Sequence, residues 1–163
     1  MSIGTERLVT PPVDPAGDRA GTRARTLALW AGRSTVAIGL LHLAFFVGPT
    51  WSRWADWLGG GLHGPSAIED PANAESLKLF WAMPGSFAVP LVLLGLLVIR
   101  MTRTGQEVPG YLGWTLGAWV LVCGWILAPS GFPLGLVPVG LLLLARRANP
   151  TRRRAAAEAP RTP

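Results

Sequence analysis

TLALWAGRSTVAIGLLHLAFFV, residues 26–47, is the stretch that decides the fold. Across these 22 positions Arg33 is the only full charge, and no proline interrupts the apolar run. At ~1.5 Å per residue a helix of this length covers about 33 Å, enough to cross the hydrocarbon core of a bilayer. Gly48-Pro49 is expected to end it.

Three further apolar runs follow, over 75–99, 111–128 and 132–145. The second opens with Glu75 in its first turn and with Asn73 or Ser76 placed to cap it. The third is introduced by Pro109-Gly110 and closed by Pro129. The fourth is short, about 21 Å as a helix. It spans if Arg146 and Arg147 snorkel and the bilayer thins locally. The expected fold is all-α, a single antiparallel four-helix transmembrane bundle. Residues 1–25 form a polar, proline-bearing tail that is expected to be disordered, as are the basic residues 148–163. That first tail is too long for the n-region of a signal peptide, so the first helix is expected to be retained. Residues 49–74 are the one link with room for structure of its own. The other two links are short and demand that the helices they join be antiparallel neighbours. No internal repeat is visible.

Composition agrees with lipid as the solvent. Charged residues are 15% of the chain, against about 25% in an ordinary soluble domain. The 8 Trp and 20 Gly are also in character, since Trp favours membrane interfaces and Gly is common in membrane helices. A net charge of +6 would ordinarily invite nucleic acid. Here the arginines gather at the tails and helix ends, which is the pattern that orients a membrane protein, and no nucleic-acid partner is expected. Arg7, Arg19, Arg23 and Arg25 precede the first span; Arg100 and Arg103 follow the second; Arg146, Arg147, Arg152, Arg153, Arg154 and Arg161 follow the fourth. The opposite side offers only Arg53. Both termini are therefore expected in the cytoplasm, with the protein in the plasma membrane.

His42 is the candidate site residue. Ionisable groups inside a bilayer are costly and usually face the bundle interior. It shares a helical stripe with Gly32, Thr35, Gly39 and Phe46, and a bond to Ser86 or Thr115 of a neighbouring helix would satisfy it. A packing histidine, a proton relay and a single cofactor ligand are the readings open to it. Paired haem ligation is not, because the other histidine, His63, lies in the outer link. No metal cluster, catalytic constellation or cofactor motif is found. Cys123 stands alone within an apolar run and reads as a small hydrophobe.

The remaining features concern packing. Pro84 and Pro90 are expected to kink the second span, leaving carbonyls near Phe80 and Ser86 for neighbours to satisfy. Gly113 and Gly117 form a small-xxx-small step for close helix approach, and the small-and-polar stripe with Gly32 and Gly39 suits close contact on the first helix. Trp51, Trp54 and Trp57, spaced by three, are expected on one side of a short amphipathic helix among the lipid headgroups; a lid over a cavity is the other reading.

The runs Trp30-Ala-Gly-Arg33, Phe80-Trp81 with Gly85-Ser-Phe87-Ala-Val-Pro90, Val108-Pro109 with Leu112-Gly113-Trp114, and Pro129-Ser-Gly-Phe132 with Val137-Pro138 resemble an uncharacterised family of small four-span bacterial membrane proteins. The resemblance covers about residues 30–145 and implies a four-helix membrane fold, with no activity to carry over. The expected function is non-enzymatic: binding of a lipid-like molecule, a membrane-protein partner or a second copy of the chain. A small carrier or electron-transfer subunit centred on His42 is the alternative.

Overall fold

Every regular element in the computed structural model, which describes residues 15–149, is helical. The first, α1 (Pro15–Thr50), starts with proline at the position where its missing N–H costs nothing. Asp18 sits in the first turn, where the helix macrodipole favours an acid. Thr22 and Thr26 donate their hydroxyls to the carbonyls of Asp18 and Thr22. Residues 15–25, expected to be part of a disordered tail, are therefore helical. Propagating a helix already nucleated by residues 26–47 is far cheaper than starting one. The rest of both expected tails, 1–14 and 150–163, lies outside the described residues. At its far end α1 runs through Gly48-Pro49 to Thr50, whose buried hydroxyl donates to Phe46 O at 2.8 Å.

The link after α1 holds a turn of 3₁₀ helix (Trp51–Arg53), the short helices α2 (Trp54–Leu58) and α3 (Pro65–Glu69), and a second 3₁₀ turn (Pro71–Asn73). The helix expected over 75–99 is not one kinked rod. It is α4 (Ala74–Ala82) and α5 (Ala88–Arg103), separated by a turn at 83–87. Met83 leaves helical geometry at φ −121°, ψ −86°, and Gly85 N–H turns back to Phe80 O at 2.8 Å. Pro90 falls in the first turn of α5, where it has no intrahelical acceptor to lose. Gly105, at φ +73°, ends α5 in a Schellman turn, with Gln106 N–H on Met101 O at 2.8 Å. α6 (Gly110–Ile126), a 3₁₀ turn (Phe132–Gly135) and α7 (Leu136–Ala148) complete the described residues.

α1 is the central helix, packed along α5 on one side and α7 on the other, while α6 packs on α7. α5 and α6 were expected to be neighbours because their link is short. They do not pack along one another; Phe87, in the turn before α5, meets Trp119 of α6 edge-on, ring centroids 5.1 Å apart. Glycine explains the preference of α1 for α5. A Cβ on Gly95 would lie 2.7 Å from Gly32 O, and one on Gly39 would lie 2.9 Å from Ala88 O. Only bare backbone allows that approach. Gly113 and Gly117 play the corresponding part between α6 and α7, facing Leu143 and Val139.

The interior these contacts make is built of small side chains. Ala28, Ala31, Ala88, Val98, Val120 and Ala145 are buried, whereas Phe45, Leu93, Leu97, Trp114, Leu121 and Trp125 are exposed. By length and composition, one helical stretch among the described residues, Gly17–Leu58, is long and apolar enough to cross a membrane. Gly110–Ile126 is apolar but, with 17 residues, about 25 Å long. The break at 83–87 shortens α5 to 16 residues, and α7 has 13.

Candidate functional site

The break between α4 and α5 and the position of His42 form one structure. In an unbroken helix the Ala82 carbonyl would accept from Ser86 N–H; at the break that N–H goes to Met83 O instead. His42 Nε2–H donates to Ala82 O at 2.8 Å, across from α1. Its partner is thus a backbone carbonyl, neither of the expected Ser86 and Thr115. Thr115 is exposed on α6, and the Ser86 hydroxyl donates to Met83 O and accepts from Ala88 N–H. The imidazole also stacks at a tilt on Phe46, centroids 4.9 Å apart. Gly32, Thr35 and Gly39 of the same stripe are buried, but His42 is exposed. The stripe is covered by α5 along its first part only, because α5 begins at Ala88. Nothing in the local sequence announced Ala82, since the acceptor is a carbonyl freed by a break elsewhere.

Pro84 lies in that break and Pro90 on the exposed start of α5, so neither kinks a continuous helix. Phe80 O, expected to be free, accepts from Gly85 N–H.

The tryptophans divide. Trp51 is exposed at 76%. Trp57 turns inward, donating its Nε1–H to the buried Ser76 hydroxyl at 2.8 Å and meeting Phe80 edge-on. Trp54 packs on Trp57, and its Nε1 is buried without a partner. The expected row of three interfacial anchors is therefore one exposed indole, one that fastens the link to α4, and Trp54 packed on the latter. A cluster of neighbouring aromatic rings lowers the accessible apolar surface more than three separate anchors would.

At the opposite end of the molecule, 17 residues or about 25 Å back along α1 from His42, lies a cleft of about 320 Å³. α1 contributes Arg25 and Ala28, the 105–109 link forms its rim, and Gly113, Leu142 and Arg146 come from α6 and α7. Arg25 donates to Arg103 O at 3.2 Å, and Arg146 reaches Gly110 O at 3.5 Å. Asn149 donates to Glu107 Oε1 at 3.0 Å on the rim. A Cβ on Gly110 would meet the Arg146 guanidinium at 2.9 Å, so this glycine lets the side chain lie over the start of α6. In the sequence Arg25 and Arg146 read only as orienting charges; that both line one cleft depends on the fold. Gly95 was also missed, although a signal existed. Ala88 and Gly95 are seven residues apart, as Gly32 and Gly39 are, which matches two small faces in antiparallel register.

Among the described residues no three His, Cys, Asp or Glu side chains come together as metal ligands. Cys123 is a free, half-buried thiol on α6.

An all-helical chain with small residues inside, a histidine-capped helix break and an arginine-lined cleft is what the fold and sites define. The chain belongs to the family of unknown function DUF6463, whose model matches residues 26–149. No curated protein and no solved structure matches it.

Proposed function

We propose that this chain is a four-span integral membrane protein of the bacterial plasma membrane, with both ends in the cytoplasm, that acts by binding a lipid-like ligand and not by catalysis. The observation that supports this reading is the distribution of side-chain size. Alanine, glycine and valine make most of the contacts between helices, while Phe45, Leu93, Leu97, Trp114, Leu121 and Trp125 point outward, Trp125 being 87% exposed. In water, the hydrophobic effect drives the large apolar groups inward, and contiguous exposed patches are confined to a few hundred Å² or so. In lipid it does not act between helices, and association rests on close backbone packing through small residues.

The four spans on this reading are α1, α5 extended by α4, α6, and α7 with its preceding 3₁₀ turn. Arg33 fits the same picture. Its guanidinium lies 5.2 Å from the centre of the Trp30 ring, one turn back towards the basic end, as a snorkelling arginine would. His42 enters this reading as a capping residue for the broken helix. A carrier or redox role would require more polar groups around the imidazole than a carbonyl and a phenyl ring.

Fractionation tests the proposal. The full-length protein should sediment with membranes, resist an alkaline carbonate wash and carry lipid through purification in mild detergent. Recovery in the aqueous fraction after the wash would defeat it.

A further inference from the structure

We infer that the cleft between Arg25 and Arg146 holds the phosphate group of an anionic amphiphile, an assignment that deepens the lipid-binding reading above and rests on it. The two guanidinium groups converge on one cavity from α1 and α7. Each spends one donor on a backbone carbonyl, and among the described residues neither has a carboxylate partner. A guanidinium has five N–H donors in a planar fork that matches phosphate oxygens two at a time, so each of these exposed side chains keeps donors for an anion at the cleft. The one acid on the rim, Glu107, is engaged by Asn149.

The cavity floor has the opposite character. Ala28, Gly113, Leu142 and Ala145 are buried and offer no polar side-chain atom. A small inorganic anion gains nothing from such a floor, whereas a headgroup followed by an apolar body does. Thr102 of α5 and Gly113 of α6 both line the cleft, so it opens between these two helices at their basic ends. The volume, about 320 Å³, lies at the small end of the roughly 300–1,000 Å³ of ligand sites. It suits a headgroup and not a whole lipid. Basic pockets between helices on the cytoplasmic side are where anionic headgroups bind, and Arg100, Arg103 and Arg147 in the last turns of α5 and α7 add to the positive field.

The experiment is native mass spectrometry of the full-length protein released from nanodiscs of phosphatidylcholine with phosphatidylglycerol. The wild type should retain phosphatidylglycerol in preference to phosphatidylcholine. Arg25→Gln and Arg146→Gln should each weaken retention about fivefold, and together about thirtyfold, as expected for one surface arginine and for two. Arg53→Gln, at the other end of the molecule, should change nothing. Helical circular dichroism identifies any variant that fails to fold, and Arg25→Lys, which keeps the charge without the fork, should restore part of the loss. Undiminished retention by the folded double variant, or equal retention of the two lipids, overturns the assignment. A competition arm separates the sources of phosphate. Glycerol 3-phosphate that leaves the lipid bound supports a lipid ligand. If it displaces the lipid at millimolar concentration, the lipid assignment falls and a soluble phosphate ester replaces it. Membrane-inserted protein with no arginine dependence sinks the cleft alone, while protein that never inserts sinks the proposed function.

Discussion

His42 on α1 closes the break between α4 and α5 by donating its Nε2–H to the carbonyl of Ala82 at 2.8 Å. The bond requires the proton on Nε2, because a carbonyl only accepts. It gives the histidine a structural task that glutamine, with an amide N–H of similar reach, can perform. His42→Gln should therefore unfold in detergent close to the wild type. His42→Leu leaves Ala82 O unpaired and should lose about 0.6 kcal/mol, the average for polar contacts between membrane helices, and at most about 1.7 kcal/mol. Equal melting temperatures for the two variants would show that the bond contributes no stability. Loss of a bound pigment or of proton-coupled uptake in a stably folded His42→Gln protein would return the residue to a chemical role.

Glycines at two interfaces should differ in their tolerance of a methyl group. At Gly95 a Cβ meets backbone, Gly32 O at 2.7 Å and Val36 N at 2.9 Å, so α1 and α5 must move apart. At Gly117 it meets only the Val139 side chain at 3.1 Å. Gly95→Ala should cost about 2 kcal/mol or more by overpacking, and Gly117→Ala under ~1 kcal/mol. Gly117→Leu, which a rotating valine cannot accommodate, should destabilise clearly. Thermal unfolding in detergent ranks them, and a Gly95→Ala protein as stable as the wild type would contradict the close α1–α5 approach.

The two inward tryptophans should respond oppositely to phenylalanine. Trp57→Phe keeps the ring contact with Phe80 but loses the bond to Ser76, a cost of about 1 kcal/mol. Trp54→Phe removes a buried donor that has no partner and should be neutral or stabilising. Hydrogen exchange over residues 51–76 reports both. Faster exchange in the Trp54 variant than in the Trp57 variant would reverse the assignment.

Orientation has a separate check. If Arg154 and Arg25 share the cytoplasmic side, alkaline phosphatase fused after Arg154 should be inactive and fused near Gly60 active. The converse pattern would invert the topology and place the arginine cleft outside the cell.

What the sequence by itself determined is local. The apolar run at 26–47, Pro109-Gly110 before α6 and Pro129 after it mark helices because hydropathy and turn chemistry act over a few residues. The all-helical architecture was legible for that reason, as was the small face of Gly113 and Gly117. Chain proximity misled where it stood in for packing. The link at 104–109 is short, yet α5 lies against α1, because Gly32, Gly39, Ala88 and Gly95 allow their backbones to meet, while α6 joins α7. Only the tertiary structure decided that order, and with it the partner of His42 and the placing of Arg25 and Arg146 on one cleft. Each depends on two segments far apart in the chain, whose complementarity is a property of surfaces that exist once the helices have formed.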